Sequence, residues 1–217
     1  MSWLELPHNK ILEFDRYQAE IHKDEPSSRF DYRFLKRTFD WVLSSILLVL
    51  LSPLVLLIGL AIRMTSRDGI FFSQKRIGMN SREFDMIKFR TMNKSAGGSS
   101  QLAWSENNDD NVSPLGKVLR RFNLDELPQL YNVLRGDMSL VGPRPEQPYW
   151  VGIFSREIPG YSLRHQIQTG MTGWAQVNGW RGATSINRRI EHDLYYLHYW
   201  SLWFDLKILF RTLWIKS

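Results

Sequence analysis

The sequence contains no cysteine. That excludes a disulfide scaffold, zinc–thiolate sites and a cysteine nucleophile, and it fits a reducing compartment. It also lacks a Walker loop, a dinucleotide fingerprint and a His-Glu-x-x-His zinc motif. Its five histidines fall at no metal-ligand spacing, and His192 and His198 read as interfacial or packing residues. No cleavable signal peptide is expected, because the N-terminus is polar and mixed in charge and the first apolar run starts too far in.

What is present describes a folded chain. The 217 residues suffice for one sizeable domain with an appendage, and 43% hydrophobic against 23% charged content is not that of a disordered chain. The net charge is +6, and its position matters. Between Arg63 and Lys94 lie eight basic residues (63, 67, 75, 76, 82, 88, 90 and 94) against Asp68, Glu83 and Asp85. This segment leaves a long apolar run. Anionic lipid headgroups and phosphate substrates therefore explain it better than nucleic acid does.

That run, Trp41 to Ile62, has 22 residues and no charge. Its length predicts a transmembrane helix. Two details predict something else. Ser52-Pro53 lies at its middle, where proline breaks the helical ladder and leaves two halves of about 15–16 Å each. Both flanks are basic: Arg29, Arg33, Lys36 and Arg37 before, Arg63 and Arg67 after, which draws both ends to the cytoplasm. A helix–break–helix entering and leaving by one face satisfies both facts. A kinked spanning helix remains the alternative on these residues alone.

Upstream, residues 1–28 are polar, with Pro26-Ser27-Ser28 as a break and an amphipathic helix expected around Trp3, Leu4, Leu6, Ile11, Leu12 and Phe14. Downstream, residues 70–77 and 83–91 around Gly78-Met79-Asn80 predict a β-hairpin, with Lys88 and Arg90 on one face and Phe89 on the other. Residues 93–112 read as a loop anchored by Trp104. Ser113-Pro114 opens a helix with a serine cap and proline at its first position, burying Leu115, Val118, Leu119 and Phe122.

Next come Arg120-Arg121 and the stretch Asn123-Leu124-Asp125-Glu126-Leu127-Pro128-Gln129. Proline is tolerated only in a first turn, so Asp125 is the expected N-cap, with Pro128 at the third helical position. The helix is expected to present Leu127, Leu130, Tyr131 and Leu134 on one face and to stop at Gly136. Capping alone explains the Asp125-Glu126 pair. Between Pro143 and Pro145, Arg144 sits on a stiff, extended backbone, which bidentate phosphate recognition needs. Residues 151–165 read as helical. Gly170 to Gly182 reads as loop and short strand, with glycines that let backbone approach a ligand. From Ile186 onward the pattern is helical. Its aromatics (Tyr195, Tyr196, Tyr199, Trp200, Trp203, Phe204, Phe210, Trp214) favour a helix lying on a bilayer.

Six stretches in order now carry a resemblance. They are Lys36-Arg37-Thr38-Phe39-Asp40, Lys88 through Met92, Leu124 through Gln129, Gly136 through Glu146, Thr172 through Gly182 and Ser201 through Lys207. The chain resembles the bacterial sugar transferases, monotopic polyprenol-phosphate phosphoglycosyl transferases, over about residues 30–214. Any one motif is weak, whereas six in order are specific.

The resemblance implies transfer of a sugar-1-phosphate from a UDP-sugar to undecaprenyl phosphate, with UMP released and Mg²⁺ required. It implies Asp125 as nucleophile through an aspartyl-phosphosugar intermediate, Glu126 as the Mg²⁺ ligand, and Arg144 as the arginine of a Pro-Arg-Pro motif. Lys88, Arg90, Arg120 and Arg181 join Arg144 as candidate phosphate or substrate contacts. It also implies a re-entrant helix broken at Ser52-Pro53. Gln168-Thr169 stand where many relatives carry a basic residue and proline, and many relatives carry a longer upstream region. The Gly179-Trp180-Arg181-Gly182 form looks most like members that transfer glucose- or galactose-1-phosphate.

The expected fold is therefore α+β and mostly helical, with a membrane-embedded re-entrant helix–break–helix, a small β-hairpin or sheet and interfacial amphipathic helices. Residues 1–28 form a polar extension, 29–67 the membrane helix and 68–217 a catalytic domain on the cytoplasmic face of the bacterial inner membrane. Expected partners are a UDP-sugar, undecaprenyl phosphate and membrane lipids, with no nucleic acid, and a homodimer is an allowed assembly. Three rival readings are a non-catalytic membrane adaptor of a glycan assembly complex, a basic nucleic-acid binder, and a direct ternary-complex transferase with Glu126 or Asp125 as base.

Overall fold

A computed structural model describes residues 26–66, 69–92, 112–182 and 184–214, with side chains from residue 33 onward. The expected amphipathic segment between Trp3 and Phe14, and the loop 93–111 with Trp104, lie outside the described residues. The fold is mostly helical with two small sheets, in keeping with an α+β class.

The first helix, α1 (Pro26–Thr65), is the longest element and shows two departures from expectation. Pro26-Ser27-Ser28 opens the helix instead of breaking the chain. More important, α1 runs through Ser52 and Pro53 without interruption. Proline cannot donate to the carbonyl four residues back, which orphans the oxygen of Val49. Ser52 Oγ donates to that oxygen at 2.8 Å, so the Ser-Pro pair repairs the gap that it creates.

The segment Arg33–Thr65 is long and apolar enough to cross a membrane. Both ends of its apolar run nevertheless pack on the rest of the chain. Leu43, Leu47 and Leu51 touch the main core, while Ile58 and Ile62 are buried with Phe89 and Leu119. Exposed Ile46, Val49, Leu50, Leu56 and Leu57 line the opposite side.

Strands β1 (Phe71–Ile77) and β2 (Glu83–Phe89) form the expected antiparallel hairpin, paired from Phe71↔Phe89 to Ile77↔Glu83. Helix α2 (Pro114–Arg121) has the expected serine cap, with Ser113 Oγ accepting from Gly116 N at 3.0 Å. Its buried face differs from the sequence reading. Leu119 is buried, but Val118 and Phe122 are exposed. Gly116 explains the rotation: it lies against the Thr91 backbone, where a Cβ would collide with the carbonyl. The Gly116–Leu119 side therefore faces inward, and Val118 and Phe122 turn out.

Helix α3 (Gln129–Arg135) starts three residues later than expected and closes at Gly136, in the left-handed conformation that glycine allows. Its inner face carries Gln129, Leu130, Asn132 and Val133, while Tyr131 is exposed. Asn132 is drawn inward by backbone groups of β2. It accepts from Ile87 N at 3.0 Å and donates to Asp85 O at 2.8 Å.

Strand β3 (Ser139–Val141) then pairs in parallel with β4 (Gly170–Thr172). Helix α4 (Pro148–Glu157) and a 3₁₀ segment (Tyr161–Gln166) lie between them. The short α5 (Trp174–Val177), α6 (Ile186–Tyr199) and α7 (Leu202–Thr212) complete the chain. The aromatics of the last two helices divide. Tyr196 is buried and Trp200 and Phe204 pack on the main core, whereas Tyr195, Tyr199, Trp203, Phe210 and Trp214 are exposed.

One buried polar network ties these layers together. Lys36 Nζ lies 2.6 Å from Asp205 Oδ2 on α7 and 3.9 Å from Asp40. Asp40 Oδ1 accepts from Leu140 N on β3 at 3.1 Å. Tyr196 OH donates to Asp205 Oδ1 at 2.5 Å. Arg37 donates to the Val133 and Leu134 carbonyls at 2.5 and 2.6 Å, capping the C-terminal end of α3. Replacing Lys36 with Met should leave Asp205 charged and unmatched in the core, at a cost of about 3–5 kcal/mol. Thermal unfolding in detergent measures it, and adding Asp205→Leu should recover most of the loss.

Candidate active site

Three separate elements bring charge to one place. Lys88 stands near the end of β2, on the side of the strand that also buries Phe84 and Met86. Asp125 and Glu126 lie on a 3₁₀ turn, Leu124–Glu126. Arg144 projects from the segment that follows β3.

Asp125 is not the cap of α3. A left-handed Asn123 (φ 52) starts a run of short-range bonds, from Glu126 N to Asn123 O at 3.2 Å and from Leu127 N to Leu124 O at 3.3 Å. Pro128 cannot donate the next bond of that series. The 3₁₀ turn therefore ends there, and α3 begins afresh at Gln129. The turn leaves Asp125 buried and Glu126 half-buried beside it.

Glu126 is gripped by both cations. Arg144 reaches it with two nitrogens, Nη2 to Oε1 at 2.5 Å and Nη1 to Oε2 at 3.3 Å. Lys88 Nζ lies 3.3 Å from Oε1. Burial alone would raise the Glu126 carboxyl pKa. Arg144 first and Lys88 second outweigh it and hold the group far below the usual carboxylate range.

The other candidate cations are placed differently. Arg90 donates to Gly69 O at 3.1 Å and Phe71 O at 3.0 Å, fastening the approach to β1. Arg120 Nε donates to Thr91 Oγ1 at 3.0 Å and ties α2 to the end of the hairpin. Arg181 is half-buried between Gly179 and Gly182, both at positive φ. Among the described residues no three His, Asp or Glu side chains gather as a metal cage.

Behind Arg144 lies a layer of buried charge that the sequence reading did not single out. Arg164 Nη2 donates to Arg144 O at 2.9 Å and lies 2.7 Å from Asp193. Arg189 pairs with Glu146 at 2.6 Å, and Arg76 lies 3.8 Å from Glu146. A signal existed in α6. Arg189 and Asp193 share the helical interval of the apolar residues Ile186, Ile190 and Leu194, so they occupy core positions.

His165 borders this layer and is itself buried. Burial, and then the Arg164 charge, push its pKa down to about 4 from 6.5. An unfolded chain takes up the imidazole proton below about 6.5, and the folded chain only below about 4. Stability from this group is therefore present above pH 6.5 and lost as pH falls toward 4, by at most about 3 kcal/mol. His165→Gln should flatten that part of a stability-versus-pH curve measured by denaturant unfolding. An unchanged slope would show that another group titrates there.

The chain is similar to known proteins over most of its length. A family model described as bacterial sugar transferase matches residues 31–216. The chain is 41% identical over 209 residues to the UDP-glucose:undecaprenyl-phosphate glucose-1-phosphate transferase of Escherichia coli K12, covering 94% of this chain and 45% of that protein. It is 44% identical over 185 residues to an Aeromonas hydrophila UDP-N-acetylgalactosamine-undecaprenyl-phosphate N-acetylgalactosaminephosphotransferase, covering 84% of this chain and 43% of that one. It is 39% identical over 188 residues to the exopolysaccharide production protein PSS of Rhizobium leguminosarum, covering 82% of this chain and 92% of that one. The chain thus spans less than half the length of the first two relatives. The six motifs, the turn that carries the acidic pair and the match over nearly all of the described fold place this chain in the bacterial sugar transferase family.

Proposed function

We propose that this protein is a phosphoglycosyl transferase that moves a sugar-1-phosphate from a UDP-sugar to undecaprenyl phosphate, releasing UMP and starting the assembly of a glycan such as an exopolysaccharide. One observation carries the reading: Lys88 and Arg144 converge on Glu126, next to Asp125, from three separate elements. Two fixed cations beside a pair of carboxylates suit a diphosphate substrate, because phosphoryl transfer needs mostly positioning and charge neutralisation. Relatives with different sugars in their names match at similar identity, which supports the reaction class and leaves the sugar open.

In the first step an Asp125 carboxylate oxygen attacks the β-phosphorus of the UDP-sugar. The bond from that phosphorus to the bridging oxygen breaks, and UMP leaves with the electron pair. In the second step a phosphate oxygen of undecaprenyl phosphate attacks the same phosphorus, and the Asp125 carboxylate leaves unchanged. Arg144 and Lys88 offset the charge on the equatorial oxygens; in the absence of a phosphate they are held in place by Glu126. Asp125 and Glu126 offer only carboxylate oxygens, a donor set that suits Mg²⁺. Glu126 is the residue assigned to it, and when bound the ion supplies further charge neutralisation on the diphosphate.

The same reading places α1 in the inner membrane as a re-entrant helix, with the catalytic domain on the cytoplasmic face; entering and leaving by one face requires α1, uninterrupted here, to bend at Ser52-Pro53 in the bilayer. Support comes from the two ends of the apolar run, which both pack on the domain. It comes also from α7 and the turn after it, where Trp203, Leu206, Phe210 and Trp214 are exposed and suit the bilayer boundary.

Replacing Asp125 with Asn should lower UMP release by about 10³-fold or more with the melting temperature kept. The wild-type protein given UDP-sugar alone should gain the mass of a phosphosugar on Asp125. Survival of activity in Asp125→Asn would remove the nucleophile assignment, and absence of the adduct would favour a ternary-complex reaction. Topology is testable because the chain has no native cysteine. Ser28→Cys and Ser66→Cys should both react with an impermeant maleimide in inside-out vesicles and neither in right-side-out ones. A spanning helix would put one label on each side.

A further inference from the structure

The segment Pro143–Glu146 is held by its backbone as well as by its prolines. All four of its carbonyls accept hydrogen bonds. Gly170 N donates to Pro143 O at 2.9 Å, and Ile77 N donates to Glu146 O at 2.9 Å. Arg164 Nη2 donates to Arg144 O at 2.9 Å, and Arg76 Nη1 donates to Pro145 O at 3.2 Å. Two of the four donors are thus guanidinium groups buried in the layer behind the site.

That layer contains three arginines and two carboxylates. Arg164 and Asp193 are 1% and 2% exposed. Tyr161 OH accepts from Arg164 Nη1 at 3.1 Å, and its ring lies 5.3 Å from the guanidinium. Arg189 has a different geometry: its two terminal nitrogens point to different loops. Nη1 donates to Glu146 Oε1 at 2.6 Å, two residues beyond Arg144. Nη2 donates to Gly182 O at 2.6 Å, one residue beyond Arg181. Gly182 has a φ of +61°, so its own side contributes no side chain to lock the loop. One planar guanidinium thus fixes the spacing between the Pro143–Glu146 segment and the Gly179–Gly182 loop.

A buried arginine is a costly way to hold two loops if stability alone is the purpose, since well-packed apolar residues often serve better. Its rigid fork does something that an apolar contact cannot, because it sets two acceptors at a defined separation. We propose that Arg189 is a positioning residue for the diphosphate of the nucleotide-sugar, acting through Glu146 and Gly182 to hold the Arg144 and Arg181 segments at one spacing, with Arg164 fixing the Arg144 carbonyl. This rests on the function proposed above. Arg189 need not touch substrate, because its contacts lie behind the two segments.

The test uses the full chain in detergent or nanodiscs, with UMP release measured against UDP-sugar concentration. Wild-type activity comes first: a wild-type protein that releases no UMP refutes the proposed function, independently of the positioning role. Arg189→Lys keeps the charge and loses the fork. It should raise KM for the UDP-sugar about tenfold, with kcat within about threefold and the melting temperature nearly kept. Arg189→Met should raise KM further. In an Arg144→Ala background the same Arg189→Lys change should alter KM by less than about threefold, because one of the two side chains whose spacing it sets is gone. Three results would overturn the proposal: KM unchanged in a folded Arg189→Lys protein, equal KM effects in both backgrounds, or failure of Arg189→Lys itself to fold. The last would make the cluster structural only.

Discussion

A lysine ammonium buried beside a fully buried carboxylate sets the frame of this protein. The Lys36–Asp205 pair joins residues 169 positions apart, and neither partner can be withdrawn alone without stranding the other in a medium of low polarity. Desolvation of the two charges is offset only if their other bonding capacity is filled. Asp205 is completed by Tyr196, and Lys36 also faces Asp40, which in turn receives the Leu140 amide. The result is a demanding fit among α1, β3, α6 and α7. An apolar contact would tolerate sliding by a residue, whereas this network does not.

The same economy recurs twice more. At the site, Glu126 satisfies Arg144 and Lys88 together. Behind it, Glu146 sits among Arg189 and Arg76, and Asp193 sits on Arg164. In each case a carboxylate from one element meets cations from others, and the low local dielectric that makes a lone charge costly makes the matched set directional. The hydrophobic cores fill the volume between these nodes. Phe84, Leu130, Val133 and Val141 bring hairpin, α3 and β3 together, but the charged nodes decide where the functional side chains point.

Much of this was legible in the sequence where chemistry is local. The hairpin, the Ser113 cap, the Gly136 stop and the extended Pro-Arg-Pro segment follow from residue types with strong backbone preferences. The acidic pair and Arg144 were legible as a candidate site, and the structure brings Glu126, the residue next to Asp125, to within hydrogen-bond distance of Arg144 and within 3.3 Å of Lys88. Tertiary contacts were not legible. Asn132 faces inward because β2 offers an amide and a carbonyl at the right height, which the apolar pattern of α3 does not reveal. Val118 and Phe122 face outward because Gly116 must approach Thr91. The proline of α1 was read as a break, since its neighbour's hydroxyl was not credited with filling the vacant acceptor. Arg164 was hidden in a polar stretch with no periodic signal of burial.

Arg37 gives the long helix a mechanical meaning. Its two donors end on the last carbonyls of α3, the helix that continues directly from the acidic turn. With Lys36 and Asp40 fastened on the same stretch, and Ile58 and Ile62 buried against Phe89 and Leu119, α1 is clamped to the domain at both ends of its apolar run. The helix that follows the acidic turn is thereby held at its far end by α1, so Asp125 and Glu126 lie on a segment whose exit is fixed through two hydrogen bonds.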